Sequence, residues 1–299
     1  MSIIEKAINK SIQDEANSDS NLKHFAEKES NEIKKVTVED TLKSIKVMPD
    51  VNDDKNIVFD IDWKRLSDIG FAAPGSSNTE AIEEYRNIKR PLVNNAFGKG
   101  SEGIVRANLI LITSSLPREG KTFTAINLAL SIANERDKKV LLIDADVARP
   151  SVSKVLGINH SPGLIEYLDG ADINFSDIIV RTSIPGLSVI PAGKLHKYST
   201  ELLSSNKMAL FVEELSNRYP DRLVIFDSPP LLAATQGEVL AKLVGQVVLV
   251  IEAEQTLQNV VMESVEKLAS CDVVLAVFNK TKRNMDINYY GYGYGQYVH

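Results

Sequence analysis

Six near-continuous apolar runs along the later part of the chain restrict its fold more than any other feature. They are LILIT (109–113), VLLID (140–144), LSVIP (187–191), LVIFD (223–227), VVLVIEA (247–253) and VVLAVFN (273–279). A strand with one wet face alternates apolar and polar residues, so runs apolar throughout call for cover on both faces. Helical patterns separate them: TFTAINLALSIANE (122–135), STELLSSNKMALFVEELSNRY (199–219) and TLQNVVMESVEKLAS (256–270). The alternation predicts an α/β fold, a mostly parallel sheet with helices on both faces. A further helix is expected over NTEAIEEYRNIKRPLVNNAF (78–97), with Asn or Thr as cap, acids in its first turn, and a kink or split at Pro91.

The first 75 residues differ: they hold 26 charged residues and only two glycines, Gly70 and Gly75. The reading is a flexible, charged N-terminal arm over 1–77, a core domain over 78–284 and a tail over 285–299. Within the arm, Ile3, Ile4, Ala7, Ile8 and Ile12 repeat at helical spacing and form an apolar stripe. Such a stripe packs on its own domain, a partner helix or a membrane surface; Lys6 and Lys10 are too few to single out the membrane. A second patch, Val58, Phe59, Ile61, Trp63, Leu66, Ile69 and Phe71, is suited to docking on the core.

Composition narrows the partners. A net charge of −6 argues against nucleic acid, whose phosphates call for a basic surface. The single cysteine, Cys271, excludes an internal disulfide framework and a cysteine-rich metal or iron–sulfur site, and suits a reducing cytoplasm. No apolar run reaches the roughly 18–20 residues that a membrane-spanning helix needs.

Chemistry concentrates after LILIT. Ser115, four further residues and Gly120-Lys121-Thr122 form a phosphate-binding loop with Ser where the first Gly normally stands. Backbone N–H groups around Gly120 (Arg118 and Glu119 included) and at the helix start (Lys121, Thr122 and Phe123) are placed to wrap phosphates, with Pro117 in the same loop. Lys121 is expected to reach the β- and γ-phosphates and Thr122 to offer its hydroxyl to Mg²⁺. Asp144 and Asp146 stand two residues apart at the end of one strand run, and Asp227 ends another, at the edge where open α/β sheets bind ligands. Together they read as a Mg²⁺–nucleotide site of P-loop NTPase type. The last eleven residues, YYGYGYGQYVH, hold five of the nine tyrosines. Interleaved glycines disfavour helix and packed strand, and Tyr290, Tyr292 and Tyr294 would share one side if the segment is extended. The residues alone leave two readings, a sticky low-complexity tail or a row of phosphate acceptors.

The phosphate loop with internal Pro117, the Asp144-x-Asp146 motif, the strand ending in Asp227-Ser228-Pro229-Pro230, and the terminal tyrosines occur in the order found in the bacterial tyrosine kinases (BY-kinases) of exopolysaccharide and capsule assembly. The chain resembles that family over 78–299, and most of all its separate soluble kinases linked to exosortase-type loci. The resemblance implies an ATP- and Mg²⁺-dependent autokinase whose acceptors are Tyr289, Tyr290, Tyr292, Tyr294 and Tyr297. It implies roles for Lys121 on the transferring phosphoryl group, Asp144 on the tyrosine hydroxyl, and Thr122, Asp146 and Asp227 on the metal. Asn279 is a candidate adenine contact, or else a turn residue. Glu83, Arg86 and Lys89 stand where the family carries a ring-forming Glu-x-x-Arg-x-x-Arg, with Lys in place of the last Arg. A cytoplasmic segment of a membrane chain-length-determinant protein is the implied partner, which would place the chain at the inner membrane without a span of its own. The alternative is a partition- or division-site-type ATPase switch, a class that carries a lysine where this chain has Leu116.

Overall fold

The computed structural model describes residues 58–282, apart from 74–75, 77, 99, 101, 136, 159–161, 171, 196 and 219–220. The stripe from Ile3 to Ile12 and the five terminal tyrosines lie outside the described residues.

Eight strands form one sheet: β1 (Val58–Phe59), β2 (Leu109–Ser114), β3 (Lys139–Asp144), β4 (Val180–Thr182), β5 (Leu187–Ile190), β6 (Arg222–Asp227), β7 (Gln246–Glu252) and β8 (Val273–Asn279). Their order is β1-β4-β5-β3-β6-β2-β7-β8. All neighbours are parallel except β4 and β5. The six apolar runs are the six longer strands. In β2 and β6 every residue is buried, as a central strand covered on both faces requires.

Helix α1 (Trp63–Asp68) and helix α2 (Thr79–Phe97) precede β2, and α3 (Lys121–Ala133) joins β2 to β3. Ile126 and Leu128 of α3 meet Ile110, Ile112, Val140, Leu142, Ile225 and Val248 of the sheet in one hydrophobic cluster. Ile61, Leu66 and Phe71 belong to the same cluster, so the charged N-terminal region ends in a segment packed on the core. The indole N–H of Trp63 donates to Ser183 Oγ (2.9 Å), and the Ala72 N–H donates to Asn127 Oδ1 (2.7 Å). These contacts and the β1–β4 pairing hold a segment too short to fold alone.

Three local expectations change. Helix α2 runs unbroken through Pro91 instead of splitting there. Tyr85, Lys89 and Leu92 are buried along it, and Gln246 Nε2 donates to Leu92 O (3.1 Å) and Ala107 O (2.6 Å), so packing on both sides of the proline holds the helix together. The pattern over 199–219 is two helices, α7 (Ser199–Leu203) and α8 (Asn206–Arg218). Between them Ser205 Oγ donates to Leu202 O and accepts from Met208 N–H, ending one helix and starting the next. Finally, β8 is an edge strand with an open face: Val274, Ala276 and Phe278 are exposed, whereas the continuous apolar run implied cover on both sides.

Between β3 and β4 lie α4 (Val152–Leu156), α5 (Leu164–Leu168) and α6 (Phe175–Ile178); α9 (Gln236–Ala241) precedes β7, and α10 (Gln258–Lys267) precedes β8. Among the described residues no helix is long and apolar enough to cross a membrane.

Candidate functional site

The carboxyl ends of β2, β3 and β6 open into one crevice, because these strands are adjacent and parallel. From β2 the chain turns through Ser115–Gly120 into α3. Gly120, at the helix entrance, has φ 98°, a left-handed conformation that side chains rarely adopt. A Cβ built on it would run into Asn279 Nδ2, so any side chain here would have to displace the Asn279 amide. The turn is fastened at its base. Ser114 Oγ donates to Leu116 O (2.7 Å), Ser264 Oγ on α10 donates to Ser115 Oγ (2.8 Å), and Leu231 N–H donates to Ser114 O (2.8 Å). The segment after Asp227-Ser-Pro-Pro thus brackets the end of β2.

Glu119, in mid-loop, is almost wholly buried. Its carboxylate accepts from Leu116 N–H (2.7 Å) and from the Thr256 hydroxyl, tying the loop to itself and to the turn after β7. Its role in the structure is to shape the loop; only its main chain is available to a phosphate. Pro117 and Arg118 are exposed at the rim, and the Phe123 ring lies 4.7 Å from that of Phe71.

The four charged residues expected to act together do meet. Lys121 Nζ lies 2.8 Å from Asp146 Oδ2 and 3.9 Å from Asp227 Oδ1, and Thr122 Oγ1 donates to Asp227 Oδ2 (2.7 Å). Asp144 and Asp227 are register partners on β3 and β6, a juxtaposition no sequence spacing reveals. Asp144 Oδ2 accepts from the N–H groups of Val152 (3.0 Å) and Ser153 (3.4 Å), so this carboxylate also holds the start of α4. Asp146 Oδ1 accepts from Arg149 N–H (3.2 Å).

Three carboxylates and one ammonium share this dry corner, and the electrostatics follow from that. Burial pushes the Asp227 carboxyl up to about 6, against the opposing pull of Lys121 and the Thr122 hydroxyl. Burial, reinforced by the charge of Asp227, raises Asp144 well above the ordinary carboxylate range. Burial alone would lower Lys121, but Asp227 and Asp146 outweigh it and hold the amine more firmly protonated.

Two oxygens in this corner, Asp144 Oδ1 and Asp227 Oδ1, are buried without a hydrogen-bond partner. Buried unpaired carboxylate oxygens are costly, and they stand ready for a cation or for donors brought by a ligand. Among the described residues no three or more His, Cys, Asp or Glu side chains form a metal cage. Mg²⁺ bound with a nucleotide needs only one or two carboxylates, the rest of its shell being water and phosphate oxygens. Asp146, Asp227 and Thr122 are the side chains that fit it.

Asn279, at the end of β8, donates from Nδ2 to Glu119 O (2.9 Å), which puts it on the loop. On α2, Glu83 and Arg86 are exposed and paired with each other, whereas Lys89 is buried, donating to Ser131 O (2.9 Å) and pairing with Glu135 (2.6 Å). Sequence reasoning passed over Lys280, Glu252, Thr256 and Ser264, all of which touch the loop or its supports. Only Lys280 carried a signal, its position beside Asn279; the others sit in ordinary strand, turn and helix patterns.

A family model described as an AAA domain matches residues 110–286. Tyrosine-protein kinase ptk of Acinetobacter johnsonii is 37% identical over 61% of this chain and 24% of that protein. The chain spans about a quarter of the length of the first curated relatives it matches. Tyrosine-protein kinase YwqD of Bacillus subtilis is 32% identical over 75% of this chain and 90% of its own length. The solved kinase domain of Escherichia coli tyrosine kinase ETK aligns with TM-score 0.57 at 29% identity, covering 71% of this chain and 80% of that one. With the phosphate loop, the paired strand-end aspartates and relatives that match nearly end to end, the chain belongs to the bacterial tyrosine-kinase family.

Proposed function

We propose that this chain is an ATP-dependent protein-tyrosine kinase that phosphorylates its own terminal tyrosines, Tyr289, Tyr290, Tyr292, Tyr294 and Tyr297, and thereby regulates exopolysaccharide synthesis, export and chain length. The observation that carries the reading is the convergence of Lys121, Thr122, Asp146 and Asp227 at the mouth of the phosphate loop, with Asp144 beside them. Mg²⁺ bound with ATP would neutralise phosphate charge there. Phosphoryl transfer is largely positioning and charge stabilisation, and the side chains suit both. Lys121, freed from Asp146 when phosphate oxygens arrive, holds the transferring group. Asp144, with one oxygen unpartnered and its proton affinity raised, accepts the proton of the incoming tyrosine hydroxyl. Thr122, Asp146 and Asp227, the first and last already bonded to each other, would hold the Mg²⁺ directly or through water. Asn279 keeps its amide oxygen for the adenine amino group.

Ring assembly is assigned to the exposed face of α2, with Glu83 and Arg86 as contacts; the Lys89 amine is held inside, so its part is to fix the helix. The partner is the cytoplasmic segment of a membrane chain-length determinant, which would hold the kinase at the inner membrane. What speaks against the ATPase-switch alternative is Leu116, exposed at the position where that class has a lysine.

The test is phosphotyrosine mapping after incubation of purified protein with Mg²⁺–ATP, alongside Lys121→Met. Labelling of the terminal tyrosines should appear in the parent and vanish in the variant, with the circular dichroism of both unchanged. Full labelling of the variant would sink the assignment.

A further inference from the structure

We infer that Lys280 and Asn279, at the end of β8, are positioning residues for phosphate binding: they hold two consecutive peptide groups of the loop so that their N–H groups face the ligand. The inference rests on the nucleotide-site reading and adds residues to it.

The geometry is simple. Lys280 Nζ donates to the carbonyl of Arg118 (2.8 Å), and Asn279 Nδ2 donates to the carbonyl of Glu119 (2.9 Å). In a trans peptide the carbonyl and the next N–H point in opposite directions. Fixing the Arg118 carbonyl toward β8 therefore aims the Glu119 N–H away from β8, and fixing the Glu119 carbonyl does the same for Gly120. Among the described residues neither N–H has a hydrogen-bond partner of its own. Two adjacent free donors, turned the same way beside Lys121, form an anion-binding concavity.

The seam is held under strain, which argues that its shape matters. Among the described residues, three of the four non-glycine residues with positive φ lie on it: Arg118 (73°), Glu254 (61°) and Lys280 (58°). Left-handed backbone is unfavourable for an ordinary residue, and such strain persists only where the surroundings over-determine it. The surroundings here are Lys280 to Glu252 Oε2 (2.9 Å), Glu119 to Thr256, and Ala253 N–H to Asn279 O (2.9 Å). Lys280 is itself half-exposed, and an ion pair at such a site adds little to global stability. Its influence should fall on the loop, leaving the fold as it is.

Lys280→Met keeps the stem and removes the donor. Calorimetric titration of the full chain with Mg²⁺–ADP should show roughly five- to tenfold weaker binding, the ratio expected for one lost hydrogen bond. The melting temperature without nucleotide should stay within about 2 °C of the parent, since a surface ion pair contributes little. Lys280→Arg, which can still donate, should recover most of the affinity. Repeating the comparison at about 1 M salt, where screening acts within about 3 Å, separates donor from charge. A deficit that disappears there would assign Lys280 to long-range attraction and overturn the inference. So would equal affinity of parent and Lys280→Met, or a loss of affinity matched by a large fall in melting temperature. If the parent itself fails to bind Mg²⁺–ADP, the nucleotide-site reading falls first and takes this one with it.

Discussion

Replacing Asp227 by Asn should make the nucleotide-free domain more stable at neutral pH while abolishing the tyrosine labelling proposed for it. The carboxylate is completely buried, and burial lifts its pKa from an ordinary 3.8 to about 6. Between those values the folded chain keeps a proton that the unfolded chain has released. Stability from that proton is complete below about pH 4 and is lost as the pH rises through 6. At about 1.36 kcal/mol per pH unit, the ionised form burdens the fold by roughly 3 kcal/mol at neutral pH. Asn removes the charge and can still accept from the Thr122 hydroxyl, but it also removes the carboxylate that faces the Lys121 ammonium, which takes back about 1–2 kcal/mol. The expected net gain is about 1–2 kcal/mol in urea unfolding at pH 7.5, without nucleotide or Mg²⁺. By pH 5 the parent has regained about half its burden, so the gap should narrow correspondingly. In the same variant, tyrosine labelling should fall by at least about a hundredfold, the usual consequence of losing a metal-positioning group. The reasoning is refuted if Asp227→Asn is less stable than the parent at pH 7.5, or if the gap is the same at both pH values.

Gly120→Ala should destabilise the fold by about 1–3 kcal/mol, because a methyl group there meets Asn279 at a left-handed residue, and should weaken Mg²⁺–ATP binding as well. Urea unfolding and nucleotide titration read both, and a variant normal in both would mean the loop tolerates a side chain. Lys89→Met should cost about 1–2 kcal/mol of stability by deleting the bond to Ser131 O, while leaving the particle mass in light scattering equal to the parent's. Unchanged stability with an altered mass would return Lys89 to the ring contact.

The sequence made some of this legible because single segments carried the information. LILIT and LVIFD are apolar up to their last residue, so those central strands declare themselves. Gly120-Lys121-Thr122 sits between a strand and a helix, the only context in which such a loop works. What stayed hidden depended on pairs of segments. β1 and β4 have two and three residues and exist because neighbours supply their hydrogen bonds. VVLAVFN looks like a buried strand because Val274, Ala276 and Phe278 are as apolar on the open face as their neighbours are inside. Asp144 and Asp227 face each other through strand register, 83 positions apart in the chain. The bracing role of the Glu119 carboxylate has no signal in the sequence, because its partner Thr256 is brought to it by the fold and Leu116 N–H by the turn of the loop.

The two ends of the sheet differ in a way that bears on handling the protein. At one end β1 offers two residues, too short a template for another strand to copy. At the other, β8 offers seven residues, with Phe278 at 65% exposure on its open face. Among the described residues nothing continues the ladder past β8. Among the described residues, β8 is therefore the edge that offers a template for edge-to-edge growth of this sheet. A charged residue at Val274 or Phe278 is the substitution to try first if the purified chain precipitates, since it blunts that edge and leaves the crevice at the other strands intact.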